Sequence, residues 1–266
     1  MAVPDIDPNY VEGRLADREV AWPRPVVVAV LGSTNADLLA RAADGLPEGS
    51  VLVADEQTAG RGRMGRSWAS APGAGLWCSV LVRFGPDERG AIARLPLLAG
   101  VSVAGAVAGL GVPAVLKWPN DVIVEQRKRD ARSGKLAGIL AESDGAGAAV
   151  VGIGVNVSQA VDGLPVPDAT SLALEGAEVG RADLLVDILT RLHGHLRDLR
   201  ATGGAETMAE YRRLCITVGR DITASLPSGE VLVGRAIGIA DDGRLGIHVS
   251  GKTVYVAAGD VIHATI

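Results

Sequence analysis

The segment Gly60-Arg61-Gly62-Arg63-Met64-Gly65-Arg66-Ser67-Trp68 is the most informative stretch of this 266-residue sequence. Glycine lets a backbone approach a ligand closely, and arginine offers a rigid fork of donors to phosphate or carboxylate groups. A solvated flexible loop would show the same alternation, so the segment alone leaves two interpretations open. The indole of Trp68 favours a loop that closes on a ligand, because a large apolar ring has no use on a freely exposed loop.

Strand and helix patterns on both sides of this loop predict a mixed sheet with helices. Runs of β-branched and apolar residues predict strands at 51–55 and 76–84, which flank an irregular segment at 58–75. Further strands are predicted at 26–31, 115–118, 122–125, 135–142 and 148–157. Helices are predicted at 36–44, 87–111, 181–202 and 205–215.

The composition changes after Ile216. Short segments that alternate apolar and polar residues follow, separated by turns at 227–229 and 241–243. Strands at this spacing predict a small β-barrel of about fifty residues. We therefore expect a loose or partly helical lead-in at 1–25, a sheet domain at 26–215 and a β module at 216–266.

Two phosphate-binding patterns occur in contexts that argue against them. The sequence GIHVSGKT at 246–253 matches the phosphate-loop pattern, but strand-like residues follow it where that motif needs a helix. A β-hairpin that turns at Ser250-Gly251-Lys252 is the prediction. The sequence GIGVN at 152–156 begins like a dinucleotide fingerprint but lacks the third glycine and a following helix.

Composition excludes several classes of protein. Hydrophobic residues make up 48% and charged residues 21%, as in an ordinary globular protein, and the net charge of −5 lacks the footprint of a nucleic-acid binder. No signal peptide and no long uncharged apolar window are visible, so no membrane partner is expected. Cys78 and Cys215 have no metal-ligand spacing and suit a cytoplasmic protein.

Two further segments carry candidate chemistry. In Lys117-Trp118-Pro119-Asn120-Asp121, an adjacent amide and carboxylate at a strand end could serve Mg²⁺ and a triphosphate, although a plain Asn-Asp turn looks the same. In KLAGILAE at 135–142, Lys135 begins a strand that is otherwise apolar and small. A lysine in that position is commonly a solvated edge residue.

Taken together, these segments resemble the biotin–protein ligase family, also called biotin–[acetyl-CoA-carboxylase] ligases. The family pattern is a GSTN-type turn followed by GRGRxGRxW, KWPND, KLAGI-type and GIGxN-type segments. This chain has all five in that order, at 32–35, 60–68, 117–121, 135–139 and 152–156. The resemblance covers roughly residues 26–160, and the C-terminal module resembles the family's SH3-like cap.

The resemblance implies an α+β fold: a mixed-sheet catalytic domain of the class II synthetase and lipoate ligase type, plus an SH3-like β-barrel. It implies an ATP-dependent ligase that converts biotin to biotinyl-5′-AMP, releases pyrophosphate, and transfers biotin to a lysine of a biotin carboxyl carrier domain. Its substrates would be ATP and biotin, and Mg²⁺ would assist. A lipoate ligase or another acyl-adenylating transferase, and a non-catalytic biotin or nucleotide sensor, are the alternatives.

The resemblance also implies roles for individual residues. Lys135, Arg63 and Asp121 would be catalytic, with Asp121 as the base for the acceptor lysine. The implied biotin site comprises Ser33, Thr34, Asn35, Gln57, Gly60, Arg61, Gly62, Arg63, Lys135, Gly138 and Gly154. The implied ATP site comprises Arg63, Arg66, Trp68, Lys117, Asn120, Lys135 and Asn156, with Asn120 also a candidate Mg²⁺ ligand.

The chemistry of adenylation explains the need for cations and for a cover. A carboxylate and an α-phosphate about 4 Å apart repel by about 4 kcal/mol at an effective dielectric constant of 20, so cations must offset the repulsion. The mixed anhydride hydrolyses easily. We therefore expect the 58–75 loop to order over it, with Trp68 as a lid on the adenine side.

Other features separate this chain from some members of the family. The basic insert at 126–133 could meet an acidic carrier domain or form a solvated hairpin tip. About 25 residues precede the first predicted strand, too few for a helix-turn-helix domain, so DNA is not an expected partner. An edge strand could pair with a second copy, which leaves a homodimer open.

Overall fold

A mixed sheet of seven strands forms among the described residues, which are 5–68, 71–127, 130, 133–164 and 166–264 of the computed structural model. The strands are β1 (Val26–Leu31), β2 (Val51–Gln57), β3 (Gly75–Arg83), β4 (Ala114–Lys117), β5 (Asp121–Val124), β6 (Gly134–Ser143) and β7 (Ala148–Asn156). Their order is β1-β2-β3-β7-β6-β5-β4, with β1 and β2 parallel and the other neighbours antiparallel. The predicted α+β fold with a mixed sheet is confirmed.

Helices lie on both faces of this sheet. The α-helices are α1 (Pro8–Ala16), α2 (Thr34–Ala42), α3 (Leu95–Ala108), α4 (Arg181–Thr202) and α5 (Ala205–Leu214), and 3₁₀ turns lie at Arg63–Gly65, Pro86–Arg94 and Val161–Gly163. Helix α3 packs on the sheet at Gly100, where an added Cβ would make ordinary contacts with Leu116 at 3.4 Å and Ile139 at 3.8 Å. Helices α4 and α5 pack on α3, and α2 packs on the opposite face against β3 and β7.

By length and composition, Pro86–Ala108 could also cross a membrane. Its mean hydropathy is 1.8 over the most apolar window, and 67% of that window is buried. The part of this stretch that forms α3 is buried between the sheet and the neighbouring helices, as expected of a core helix.

The C-terminal residues form a separate antiparallel sheet. Its strands are β8 (Asp221–Ser225), β9 (Val231–Ile239), β10 (Leu245–Val249), β11 (Lys252–Val256) and β12 (Asp260–His263), in the order β11-β10-β9-β8-β12. Ser250 and Gly251 join β10 to β11 with positive φ angles of 48° and 81°. The predicted hairpin is therefore confirmed, and the phosphate-loop match lacks the helix that it needs. The domain boundary at residue 216 stays a prediction.

Trp118 joins the two sheets. Its side chain is buried, its indole Nε1 donates to the Gly243 carbonyl at 3.0 Å, and its backbone N–H donates to Thr217 Oγ1 at 3.0 Å. Thr217 Oγ1 also lies 3.1 Å from His263 Nε2. Burial, reinforced by two neighbouring cationic side chains, lowers the pKa of His263 to about 4. One continuous hydrophobic core runs through both sheets.

Candidate active site

Three glycines leave the centre of the sheet face opposite α3 without side chains. Gly138 of β6 pairs with Gly154 of β7, and Gly152 lies two residues before Gly154 on the same face. A Cβ at Gly138 would come within 2.6 Å of the Trp68 ring, one at Gly154 within 2.8 Å of it, and one at Gly152 would collide with Asn35. We call these three glycines the glycine floor, because other side chains lie directly on them.

A cavity of about 280 Å³ opens above the glycine floor. Most of the predicted site residues line it, namely Ser33, Thr34, Asn35, Gln57, Arg61, Gly62, Arg63, Arg66, Trp68, Asn120, Asp121, Lys135, Gly138, Gly154 and Asn156. Gly60 and Lys117 are not among the lining residues. The Gly60 carbonyl accepts the backbone N–H of Trp68, and Lys117 lies on the outermost strand, across from Asp121.

The start of α2 supplies one wall of the cavity. Ser33 caps the helix by accepting the N–H of Ala36, as serine commonly does. The backbone N–H and the hydroxyl of Thr34 contact Gln57 Oε1 at 2.9 and 3.1 Å. These polar groups are held in place before any ligand arrives.

The fully buried Ser79 supports this wall from β3. Its hydroxyl lies 2.7 Å from Thr34 Oγ1 and 2.6 Å from Asn35 Oδ1. Sequence reasoning missed Ser79, although strand alternation from Trp77 would have placed both residues on the same face. The amide nitrogen of Asn35 donates to Glu142 Oε2 at 2.9 Å, so both ends of this amide are engaged.

Glu142 connects that wall to the loop at 60–68, which we call the arginine loop. Its second carboxylate oxygen forms an ion pair with Arg61 at 3.2 Å. The start of α2 at Asn35 and the loop at Arg61 therefore share one carboxylate, which lies near the end of β6.

Lys135 reaches the cavity because of a β-bulge. Asp121 pairs with Gly138 and Ile123 with Lys135, so Leu136 is an extra residue in β6 that turns Lys135 to the same face as Gly138. The ammonium lies 2.6 Å from Asp121 Oδ1 and 5.1 Å from the centre of the Trp68 ring.

Trp68 lies on the glycine floor. Its ring meets Trp77 edge-on at 6.2 Å and covers Gly138 and Gly154. The predicted lid on the adenine side would require a ring at the mouth of the cavity, whereas the indole here lies against the sheet. The adenine contact of Trp68 stays a prediction.

The arginine loop rests against the C-terminal sheet. Arg63 Nη2 donates to the Gly259 carbonyl at 3.3 Å, and Arg66 forms an ion pair with Asp260 at 2.8 Å. Burial lowers the pKa of the Arg63 guanidinium, while the negative charges of Asp121 and Asp260 oppose that shift. Sequence reasoning found no C-terminal residue for the site, because nothing local signals these contacts.

The two predicted nucleotide-contacting amides are also structural. Asn120 Nδ2 donates to the Ile139 carbonyl at 3.0 Å, which ties the turn between β4 and β5 to β6. Asn156 Nδ2 donates to the Thr170 carbonyl at 2.9 Å, and Asn156 Oδ1 accepts from Gln159 at 3.1 Å. Each amide fixes a loop beside the cavity.

The donor set suits a metal carried by a substrate more than a resident ion. No cluster of three or more His, Cys, Asp or Glu side chains with metal-binding geometry occurs within the described part of the chain. Mg²⁺ often binds through one or two carboxylates, waters and substrate phosphates. Asp121 and the Asn120 amide oxygen fit that requirement at the edge of the cavity.

Cys78 also lies beside the cavity, but its side chain belongs to the core on the α3 side of the sheet, opposite Trp77 and Ser79. Burial raises the pKa of its thiol to about 12. A thiol with that pKa is not ionised near neutral pH, so Cys78 is a core residue and not a nucleophile.

The basic insert differs from the predicted solvated tip at one residue. Lys128, Arg129, Ala131 and Arg132 lie outside the described residues. Arg127 is buried because backbone carbonyls and a carboxylate surround its guanidinium. The prediction of solvation is therefore wrong for Arg127.

Comparison with known proteins agrees with this geometry. Residues 27–158 match the biotin/lipoate A/B protein ligase family, and residues 217–264 match the biotin protein ligase C-terminal domain. The biotin–[acetyl-CoA-carboxylase] ligase of Mycobacterium tuberculosis is 43% identical over 98% of this chain and 96% of its own length. The bifunctional ligase/repressor BirA of Escherichia coli is 31% identical over 82% of this chain and 67% of its own length.

A solved structure has the same fold. The biotin protein ligase from Aquifex aeolicus in complex with biotin and ATP superimposes with a TM-score of 0.75 and 27% identity, and the match covers 90% of this chain and 98% of that one. Fold, motif order and near full-length similarity agree with one another, and this chain belongs to the biotin protein ligase family.

Proposed function

We propose that this chain is an ATP-dependent biotin–protein ligase. It activates biotin as biotinyl-5′-AMP, releases pyrophosphate, and transfers biotin to a lysine of a biotin carboxyl carrier domain. The position of the Lys135 ammonium carries the proposal, because it lies over the glycine floor, beside Asp121 and the arginine loop. The similar proteins are biotin ligases, which favours this function over lipoate ligation and over a sensor.

In the first step a biotin carboxylate oxygen attacks the α-phosphorus of ATP, and the bond to pyrophosphate breaks. Lys135 and Arg63 offset the repulsion between the two anions, about 4 kcal/mol at 4 Å and an effective dielectric constant of 20. Bound Mg²⁺ would supply further neutralisation of the phosphates, held through Asn120. Arg66 and Lys117 are the cations assigned to the departing pyrophosphate.

In the second step the acceptor lysine amine attacks the acyl carbon, and AMP leaves. Asp121 is the candidate base for the amine proton. Its carboxylate is paired with Lys135 at 2.6 Å, so movement of that ammonium onto the substrate anions would free it. One ion pair thereby links the two steps.

The biotin head is assigned to the wall at the start of α2. Ser33, Thr34 and Gln57 offer polar groups for the ureido ring, and Asn35 supports them from behind because both ends of its amide are engaged. Arg61, with the adjoining Gly62, would lie along the biotin tail.

Pyrophosphate release on adding biotin, ATP and Mg²⁺, followed by the mass of an added carrier domain, tests the proposal. We expect biotin-dependent release and a gain of one biotinyl group, with lipoate inactive. Lys135→Met should abolish release, whereas Lys252→Met, which removes the same charge from the exposed start of β11, should not. Release with lipoate but not biotin would contradict the proposal.

The arginine loop should also retain the biotinyl-5′-AMP intermediate, which can be tested separately from its formation. Arg63→Gly should let biotinyl-5′-AMP escape, because a half-buried cation and a loop anchor at Gly259 are both lost. A variant that retains the intermediate as tightly as the parent protein would refute a role for this loop in retention. The measurement is free biotinyl-5′-AMP by chromatography.

The proposal includes a cytoplasmic location, supported by the free thiols of Cys78 and Cys215. It includes a carrier domain of a biotin-dependent carboxylase as partner, and neither DNA nor a membrane. Cell fractionation tests the location, and sedimentation tests the homodimer that the sequence leaves open.

A further inference from the structure

Arg127 opens the charge-rich insert between β5 and β6, yet its side chain is only 2% exposed. It fills the space beside Gly134, where an added Cβ would collide with it. Arginine is rarely buried unless its donors are paired. Its burial therefore points to a specific set of acceptors.

Those acceptors belong to two different segments. Nε and Nη2 donate to the two carboxylate oxygens of Asp130 at 3.0 and 2.8 Å. Nη1 donates to the carbonyls of Pro167 and Ala169 at 3.0 and 2.9 Å. The planar guanidinium can satisfy all of these directions at once, which the point charge of a lysine cannot. Arg127 thus ties the insert to the segment that we call the 166–170 strip.

The 166–170 strip is the main-chain neighbour of Lys135. The Asp168 carbonyl accepts the N–H of Lys135 at 2.7 Å, and the N–H of Thr170 donates to the Lys135 carbonyl at 2.9 Å. The two carbonyls held by Arg127 lie on either side of the Asp168 carbonyl along the chain. The guanidinium of Arg127 and the main chain of Lys135 therefore form hydrogen bonds with the same short segment.

Lys135 depends on this strip more than a residue of a regular strand would. The bulge at Leu136 interrupts the ladder to β5 beside Lys135, and a bulge leaves its extra residue unpaired. Ala169 also lines the cavity, so displacement of the strip would change both the wall and the lysine.

We infer that Arg127 is a positioning residue for the reaction: it holds the 166–170 strip and thereby fixes the Lys135 ammonium over the glycine floor. This inference rests on the proposed function for its kinetic consequence. Its structural consequence, a main chain at Lys135 held by Arg127, is independent of activity.

A pair of arginine variants tests the inference. Arg127→Met removes the fork while keeping an apolar stem. Arg83→Met is the matched control, since the Arg83 guanidinium also donates to two backbone carbonyls, at Leu46 and Ala42, away from the cavity. Amide hydrogen exchange of the peptide around Lys135 and steady-state pyrophosphate release are measured for both.

In Arg127→Met we expect exchange at Lys135 to accelerate at least tenfold and kcat to fall by about tenfold to a hundredfold, since a misplacement near 1 Å can cost that much. Arg83→Met should keep the parent exchange at Lys135 and a kcat within twofold. Arg127→Lys should recover part of the loss, because a lysine can bond one carbonyl.

Equal exchange at Lys135 and equal kcat in the two methionine variants would overturn the inference. If the parent protein releases no pyrophosphate with biotin, the proposed function fails, whereas the exchange comparison still decides the role of Arg127. If Arg127→Met does not fold, Arg127→Lys is compared with Arg83→Lys by the same two measurements and the same criteria.

Discussion

Adding one methyl group to the glycine floor should displace the Trp68 indole and weaken biotin binding. A Cβ at Gly154 would lie 2.8, 2.9 and 3.0 Å from three atoms of the ring, whereas carbon contacts are comfortable at about 3.5–4.0 Å. Relief therefore needs a shift of about 1 Å. Overpacking of this kind costs about 1–3 kcal/mol. The ring belongs to an irregular loop and can move, so the stability loss should fall near 1 kcal/mol.

The assay for Gly154→Ala combines a thermal melt with biotin-dependent pyrophosphate release. We expect Tm to fall by about 2–4 °C, and the KM for biotin to rise about 5- to 100-fold, the equivalent of about 1–3 kcal/mol. Gly194→Ala is the control, because Gly194 lies within α4 with open space around its Cα. It should gain up to about 1 kcal/mol of stability and keep the parent KM.

The clash itself can be isolated with a double-mutant cycle. If the methyl group acts through the indole, Trp68→Ala should cost less stability in the Gly154→Ala background than in the parent protein. A Gly154→Ala variant with the parent Tm and the parent KM for biotin would refute the claim that the glycine floor must stay free of side chains. Additive effects of the two substitutions would refute the contact between them.

Three other changes test the contacts made by the C-terminal sheet. Asp260→Asn should change the free energy of unfolding by no more than about 1 kcal/mol, because the Arg66–Asp260 ion pair is exposed. It should lower the KM for ATP about 2- to 5-fold at low salt, because Asp260 competes with the ATP phosphates for Arg66. A raised KM would contradict this competition. His263→Gln should flatten the pH dependence of unfolding in urea. The pKa of His263 is about 4 in the folded chain and 6.5 in the unfolded chain, so the unfolded chain binds more protons between these values. The free energy of unfolding of the parent protein therefore falls as the pH falls from about 6.5 to 4, by at most about 3 kcal/mol. A variant that keeps the parent pH dependence would contradict this. Thr217→Val should cost about 1–3 kcal/mol in thermal melts, because it removes the acceptor of the Trp118 N–H; an unchanged Tm would contradict this.

Local sequence patterns predicted most of the fold. The strand around Val51, the hairpin at Ser250 and the helix that begins after Ser33 are short-range features, set by alternation, turn residues and caps. The glycine and arginine loop was recognisable because its residue types are rare together. The order of the motifs then indicated which strands meet at the cavity.

Side-chain direction near the bulge could not be predicted. Strict alternation along β6 puts Lys135 on the face opposite Gly138, and only the extra residue Leu136 reverses this. Burial of Arg127 was equally unpredictable, because its acceptors at Pro167 and Ala169 lie 40 and 42 residues away in sequence. A run of charged residues does not show which of its side chains will form hydrogen bonds with carbonyls far away in sequence.

The Trp118–Gly243 hydrogen bond has a consequence for how far the enzyme can be shortened. Gly243 also approaches Leu97 of α3, so the turn at the edge of the C-terminal sheet seals the main core. Truncation after α5 would uncover an indole and a leucine that water otherwise never reaches. We expect the full chain to melt as one calorimetric unit, and a fragment ending at Leu214 to aggregate and not to serve as a minimal ligase.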